Sequence, residues 1–391
     1  MNLTDSNIRQ LAQMAFSALQ AGDAKQAVSG FEKIVSTGEA DTMHWMGLAV
    51  ARSRLGDNAN AMSALDKSLE LEPRNLRAVL LKADLLAMQN QPRAAFQHYR
   101  YALQLAGNAP DLPADIRQGL ARAQSVCSEQ EKAYREFMLE RLQAEGFALG
   151  DAPPRFRQSL DLLFGDKEIY YQQPRRFYYP GLPQIQFYER EQFDWIPAIE
   201  AETERIRAEL IPVLQEPSLF SPYVKSGDAK LGQDNQGLAD NDDWGALFLW
   251  DYGRLLPENA ALFPNTVRAL EAAPMPVIAR QAPMALFSKL APGTRIPPHN
   301  GLLNTRLICH LPLVVPPDCG ALRVGNEERP WVEGEMLIFD DSIQHEAWNN
   351  SDQQRVILLF EIWRPEISTE ERTLLAGMLT AVKEFANQEK G

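Results

Sequence analysis

With 391 residues, 45% of them hydrophobic and 23% charged, the chain can bury two ordinary cores, which excludes disordered and collagen-like classes. A net charge of −13 argues against nucleic acid as a partner, because that binding depends on lysine and arginine neutralising phosphates. Cys127, Cys309 and Cys319 form neither a metal-ligand pairing nor a disulfide framework, so they are expected to be small buried hydrophobes in a cytoplasmic, reducing setting.

The first sixteen residues mix Asp5, Arg9 and Gln10 into the apolar ones, unlike the apolar core of a secretory signal, and no later apolar run is long enough to span a bilayer. A thirty-four-residue period follows. Gly22-Asp23 recurs as Gly56-Asp57 and as Asn90-Gln91. Ala15, Ala49 and Ala83 keep the same register, as do Ala27, Ala61 and Ala95, and four positions further on Phe31, Leu65 and Tyr99. Small residues at this period, followed by a larger apolar one, form the tetratricopeptide (TPR) pattern of stacked helix pairs. Pro73 closes the second helix of the middle repeat. About three repeats and capping helices are predicted over residues 1–146. Such an array offers a surface that holds a peptide or protein, or else serves as a scaffold or assembly surface.

A connector is predicted over 147–178, where Pro153-Pro154 breaks the pattern and Tyr170, Tyr171, Arg175, Arg176 and Phe177 form an aromatic, basic run. The second domain, 179–391, begins with helix around Trp195 to Leu214 and then changes to short apolar runs separated by turn residues. These are Ala285 to Leu290, Leu307 to Val315, Ala321 to Val324, Glu335 to Phe339, Ala347-Trp348 and Arg355 to Trp363. Their lengths and boundaries read as antiparallel strands, and a double-stranded β-helix, the cupin-like jelly roll, is their natural closure. Ser368-Thr369-Glu370-Glu371 is a capping box opening a last helix, with Leu374, Leu375, Met378, Val382 and Phe385 as its predicted packing face. The fold class is therefore α+β, a helical TPR solenoid followed by a jelly-roll domain.

Within the strand-rich half, His299 is followed two residues later by Gly301 and forty-six residues later by His345. Two histidines in this pattern are most of a non-haem Fe(II) site, whose usual third ligand is a carboxylate two residues after the first histidine. Here that slot holds glycine. The segment Pro298-His299-Asn300-Gly301, with Asn304, Arg306 and His310 after it and Phe339-Asp340-Asp341-Ser342 leading into His345, resembles the aspartyl/asparaginyl β-hydroxylase family. The resemblance runs from about Pro174, through Phe177-Tyr178-Tyr179-Pro180-Gly181-Leu182-Pro183, to Trp363-Arg364-Pro365-Glu366.

The resemblance implies an Fe(II)- and 2-oxoglutarate-dependent dioxygenase that uses O2 to hydroxylate the β-carbon of Asp or Asn in a peptide or protein. His299 and His345 would hold the metal, and Asp341 would orient a water beside it. Arg355, opening an apolar strand, is placed to bind a carboxylate of 2-oxoglutarate. Ser288 would assist at that carboxylate, and His310 would contact the other end of the cosubstrate. The better-known animal members carry an arginine two residues before the histidine matching His310, where this chain has Ile308. Arg306 points to the same face of a regular strand and is the candidate replacement. The stretch Asn241-Asp242-Asp243-Trp244-Gly245 corresponds to one lining the substrate entrance, with Asp242 and Asp243 expected in solvent. The same chemistry on a lipid-linked acyl chain or a small amino-acid derivative is the nearest alternative. A non-catalytic TPR adaptor and an iron-dependent sensor are the others.

Overall fold

Each thirty-four-residue repeat turns at a residue with positive φ: Gly22 at 85°, Gly56 at 77° and, where glycine is absent, Asn90 at 58°. Asparagine is among the few side chains that tolerate this left-handed conformation. Asp23 and Asp57 then cap the next helix through its backbone amides, and the third repeat instead starts its helix with Pro92. The computed structural model describes residues 5–225 and 238–388 apart from 108, 110, 148, 149 and 151. In it, Met1–Phe164 and Gly165–Gly391 form separate compact units.

The first unit is helical: α1 (Asp5–Gln20), α2 (Ala24–Val35), α3 (Thr42–Arg54), α4 (Asn58–Leu71), α5 (Leu76–Met88), α6 (Pro92–Ala106), α7 (Ala114–Ala144) and α8 (Pro154–Phe164). The alanines of the repeat register are almost wholly buried, which lets paired helices approach closely. Gly47 serves the same end, since a Cβ there would lie 2.3 Å from the Phe31 ring. The connector expected over 147–178 contains α8, and the boundary between the units falls just after that helix.

The second unit opens with β1 (Phe187–Tyr188), α9 (Ile196–Glu200), α10 (Thr203–Val213), β2 (Ser221–Pro222), β3 (Trp244–Asp251), β4 (Arg254–Leu255), α11 (Pro257–Ala260) and α12 (Pro264–Leu270). It continues with β5 (Ala285–Leu290), β6 (Arg295–His299), β7 (Arg306–Val314), β8 (Ala321–Val324), β9 (Glu327–Pro330), β10 (Leu337–Phe339), β11 (His345–Trp348), β12 (Arg355–Trp363) and α13 (Thr369–Gln388). One sheet runs β1-β10-β7-β12-β5-β3-β2 with β4 beside β3, and the other runs β6-β11-β8-β9. The pairings are antiparallel.

Side chains alternate across the central strands of the large sheet. Phe287, Leu311, Leu358 and Phe360 pack with Ile206, Leu210 and Leu270 of the helices and with Phe263, which precedes α12. The alternate residues Leu286, Ile308, Ile357 and Leu359 pack toward Ile296, Leu322 and Val324 of the small sheet. Because both faces are covered, β12 is buried along its whole length and reads in sequence as a continuous apolar run. Six strands lie outside the expected runs: β1, β2, β3, β4, β6 and β9.

The capping box at α13 is present, with Ser368 and Glu371 each bonding the other's backbone amide. Its packing face differs from the expected one. Leu375 and Leu379 join Leu182, Ile278, Trp363 and Ile367, whereas Leu374, Val382 and Phe385 are exposed.

A buried polar hub ties these elements together. Arg364 Nη1 donates to Asp340 Oδ2 at 2.6 Å, and both side chains are wholly inaccessible. Arg364 Nη2 donates to the Pro183 carbonyl, Gln172 Nε2 donates to Asp340, and Asn304 Nδ2 donates to Gln172. Removing one member of such a pair strands the other charge in a low dielectric. Arg364→Met is therefore expected to cost about 3–5 kcal/mol in urea denaturation. A loss under about 1 kcal/mol would show that Asp340 is held independently of the arginine.

Candidate active site

Antiparallel pairing of β6 with β11 sets His299 directly opposite His345, with ring centroids 4.1 Å apart. In each ring Nδ1 donates to the carbonyl two residues earlier, to Pro297 at 2.8 Å and to Ile343 at 3.0 Å. A carbonyl can only accept, so the proton of the neutral ring sits on Nδ1 and Nε2 keeps its lone pair. Burial pushes His299 down to about 3, helped by the neighbouring His345, and burial pushes His345 down to about 4. Both are thus neutral near pH 7, the form that can ligate a metal.

Gly301 accounts for the missing carboxylate slot. A Cβ built there would lie 2.0 Å from Asp341 Oδ2, so the carboxylate of Asp341, from the loop before β11, already fills the space. The same loop is fastened by Gly301 N donating to the Asp341 carbonyl at 2.6 Å. Asp341 Oδ2 accepts from Arg306 Nη2 at 3.3 Å, while its buried Oδ1 has no hydrogen-bond partner. Burial pushes the Asp341 carboxyl up, and Arg306 opposes that shift. Among the described residues, no three His, Cys, Asp or Glu side chains converge as a metal-ligand set.

The seven residues given metal, cosubstrate or water-orienting roles in the sequence line one cavity of about 620 Å³: His299, His345, Asp341, Ser288, Arg306, His310 and Arg355. Arg306, Ile308 and His310 share a face of β7, as the alternation requires. Arg306 is less available than the sequence suggests. Besides Asp341, its guanidinium bonds Glu361 of β12, so its charge is already met by two carboxylates. Arg355 is different. It is 1% exposed, its Nε and Nη1 have no hydrogen-bond partner among the described residues, and its guanidinium lies over the Trp331 ring at 4.7 Å. Desolvation lowers it to about 10, a sign of a buried cation without a counter-charge. His310 is held well below its usual range by burial and by Arg355, and its Nδ1 is also unpartnered.

Several contacts were not foreseen. Trp244 Nε1 donates to Ser288 Oγ at 3.2 Å, and its indole stacks on Tyr223 with centroids 4.3 Å apart, so it is both core and cavity wall. Glu361, the one acid in the apolar run of β12, is the signal that could have revealed the Arg306 pairing. Arg323 lies outside this cavity and bonds Glu346. Asp242 and Asp243 are exposed as expected. The three cysteines are buried and free.

The antiparallel two-sheet unit thus brings two neutral imidazoles and a buried arginine to one cavity. Residues 200–365, within the strand-rich unit, match the family model for aspartyl/asparaginyl beta-hydroxylase. The aspartyl/asparaginyl beta-hydroxylase of Homo sapiens is 26% identical over 358 residues, covering 91% of this chain and 43% of its own. An ornithine lipid ester-linked acyl 2-hydroxylase of Rhizobium tropici is 34% identical over 180 residues, covering 46% of this chain and 60% of its own. The chain thus spans under half of the human relative and three-fifths of the bacterial one. Among solved structures, the Yersinia enterocolitica type III secretion chaperone SycD, with a peptide of the translocator YopD, aligns with 32% of this chain and 93% of its own at 19% identity and a TM-score of 0.30. Among the described residues, no helix is long and apolar enough to cross a membrane.

If Asp341 occupies the room that Gly301 leaves, the two positions are coupled. Gly301→Ala is expected to cost about 1–3 kcal/mol through overpacking. In the Gly301→Ala/Asp341→Ala double variant the loss should be smaller than the sum of the singles in denaturation. Additive losses would contradict the packing.

Proposed function

We propose that this protein is an Fe(II)- and 2-oxoglutarate-dependent dioxygenase that hydroxylates the β-carbon of an aspartyl or asparaginyl residue in a peptide or protein. The observation that carries the reading is Arg355, a buried cation lacking an anion, in the same cavity as two imidazoles whose lone pairs are free. A buried charge without a partner is costly, and a bidentate carboxylate matches its fork of donors. The unpartnered atoms of the cavity, Asp341 Oδ1, His310 Nδ1 and Arg355 Nε and Nη1, fit a metal-bound water and a dicarboxylate better than they fit an empty apolar core. In this reading the two sheets form the double-stranded β-helix, and the helical repeats hold the polypeptide being modified.

His299 and His345 would hold the iron through Nε2, oriented by the carbonyls that take their Nδ1 protons. Iron supplies the activation of dioxygen, so that one oxygen enters the substrate C–H bond while 2-oxoglutarate becomes succinate and CO2. Arg355 would grip the distal carboxylate of the keto acid, with Ser288 aligned by Trp244 beside it. His310 would face the other end of the cosubstrate. Asp341, held by Arg306, keeps Oδ1 available to orient water next to the imidazoles. The surrounding Trp244, Ile296, Leu322 and Phe339 exclude bulk water, which protects against side reactions.

The resemblance to a lipid acyl hydroxylase favours one competing reading, the same oxidation on an acyl chain. Mass spectrometry of extract proteins and of lipids, after treatment with enzyme, Fe(II) and 2-oxoglutarate, separates the two by which pool gains one oxygen. In that assay His299→Ala and His345→Ala are each expected to abolish succinate formation with the fold intact. Arg355→Ala should raise the 2-oxoglutarate requirement by roughly tenfold to a hundredfold, the effect of losing a charge-assisted contact of about 1.5–3 kcal/mol. An unchanged keto-acid requirement would remove Arg355 from this role.

A further inference from the structure

The cavity is lined by six cationic side chains and three acidic ones, although the chain as a whole carries a net charge of −13. Arg306 answers two of the acids, Asp341 and Glu361, and Arg355 is given to the cosubstrate in the reading above. The remaining positive charge is that of Arg175, Arg176, Lys225 and Lys383 against one acid, Asp251. Arg175 is its best-placed member.

The backbone of Arg175 is fixed to the metal-site turn, with its amide donating to the Gly301 carbonyl at 2.9 Å. The next amide, of Arg176, donates to Leu302 at 3.0 Å, and Phe177 bridges to Leu303 in parallel. The segment is thus laid along the residues that follow His299. Its side chain lines the cavity and is exposed, yet its guanidinium makes no hydrogen bond or ion pair among the described residues. An arginine anchored by its main chain, near the imidazoles, with a fork of donors unused, is arranged to receive an anion that enters from outside.

We propose that Arg175 binds the side-chain carboxylate of the substrate residue, so that this enzyme selects an aspartyl over an asparaginyl side chain. The proposal rests on the hydroxylase reading and narrows it to an acidic target. A carboxylate accepts two parallel N–H bonds from the guanidinium, whereas an amide offers one oxygen and turns two N–H groups toward a cation.

The test uses the full chain with Mn(II) and 2-oxoglutarate, so that binding is read without turnover. Two fluorescein-labelled glycine-serine peptides, one with a single central Asp and the other with Asn, are titrated by anisotropy. The wild type is expected to bind the Asp peptide on the order of tenfold more tightly, a difference set by one charge-assisted contact. Arg175→Ala should bring the two peptides within about twofold, and Arg175→Lys should restore part of the preference. Equal binding by the wild type, no binding of either peptide, or a preference that survives in Arg175→Ala would overturn the proposal. Succinate formation measured separately, with Fe(II) in place of Mn(II), keeps the two readings apart. Discrimination without oxygen transfer would retain Arg175 as the anion site and reject the hydroxylase, and oxygen transfer without discrimination would do the reverse.

Discussion

The site depends first on the buried Arg364–Asp340 pair. Asp340 immediately precedes Asp341 in the loop that ends at His345, and Ser342 is tied to the same carboxylate through its amide and hydroxyl. Arg364 terminates β12, whose other end carries Arg355, and Asn304 joins the hub just ahead of Arg306. One wholly desolvated ion pair therefore fixes the positions of three chain segments that supply the cavity. Such a pair adds little net stability over a hydrophobic replacement, but leaving one partner alone is expensive, so the arrangement is held by the cost of every alternative.

Around that hub the charges fall into two groups. Arg306, Glu361 and Asp341 neutralise one another and form part of the wall. Arg355 and the two imidazoles have nothing of the kind. Desolvation keeps the imidazoles unprotonated and leaves the arginine short of an anion. The glycine at 301 leaves room for Asp341 beside them.

Much of this was legible in the sequence, and the gaps have physical causes. The repeat register could be read because each turn needs a left-handed residue and each helix contact a small one. The runs Ala285–Leu290, Ala321–Val324 and Arg355–Trp363 match β5, β8 and β12 because both faces of those segments, or nearly so, are buried. β6 was hidden by Pro297-Pro298, which lack the amide that a strand normally offers, and β9 by its polar, partly exposed character. The residues that gather in the cavity could be named by spacing and resemblance. That Asp341 fills the place left by Gly301, and that Arg306 is occupied by Glu361, depend on a register between strands distant in sequence. Position along the chain does not encode that register. The face of α13 was misjudged for a related reason: helical periodicity gives a stripe, but which stripe is covered depends on Ile278, Trp363 and Ile367.

The central claim is that one cavity takes a metal and a dicarboxylate as a linked pair. Calorimetric titration of 2-oxoglutarate into the full chain, with and without Mn(II) as a redox-stable stand-in for iron, tests it most directly. The account requires one metal per chain, held through His299 and His345, and a 2-oxoglutarate affinity that rises when the metal is present and falls in Arg355→Ala. Keto-acid binding that is indifferent both to Mn(II) and to Arg355 would contradict it.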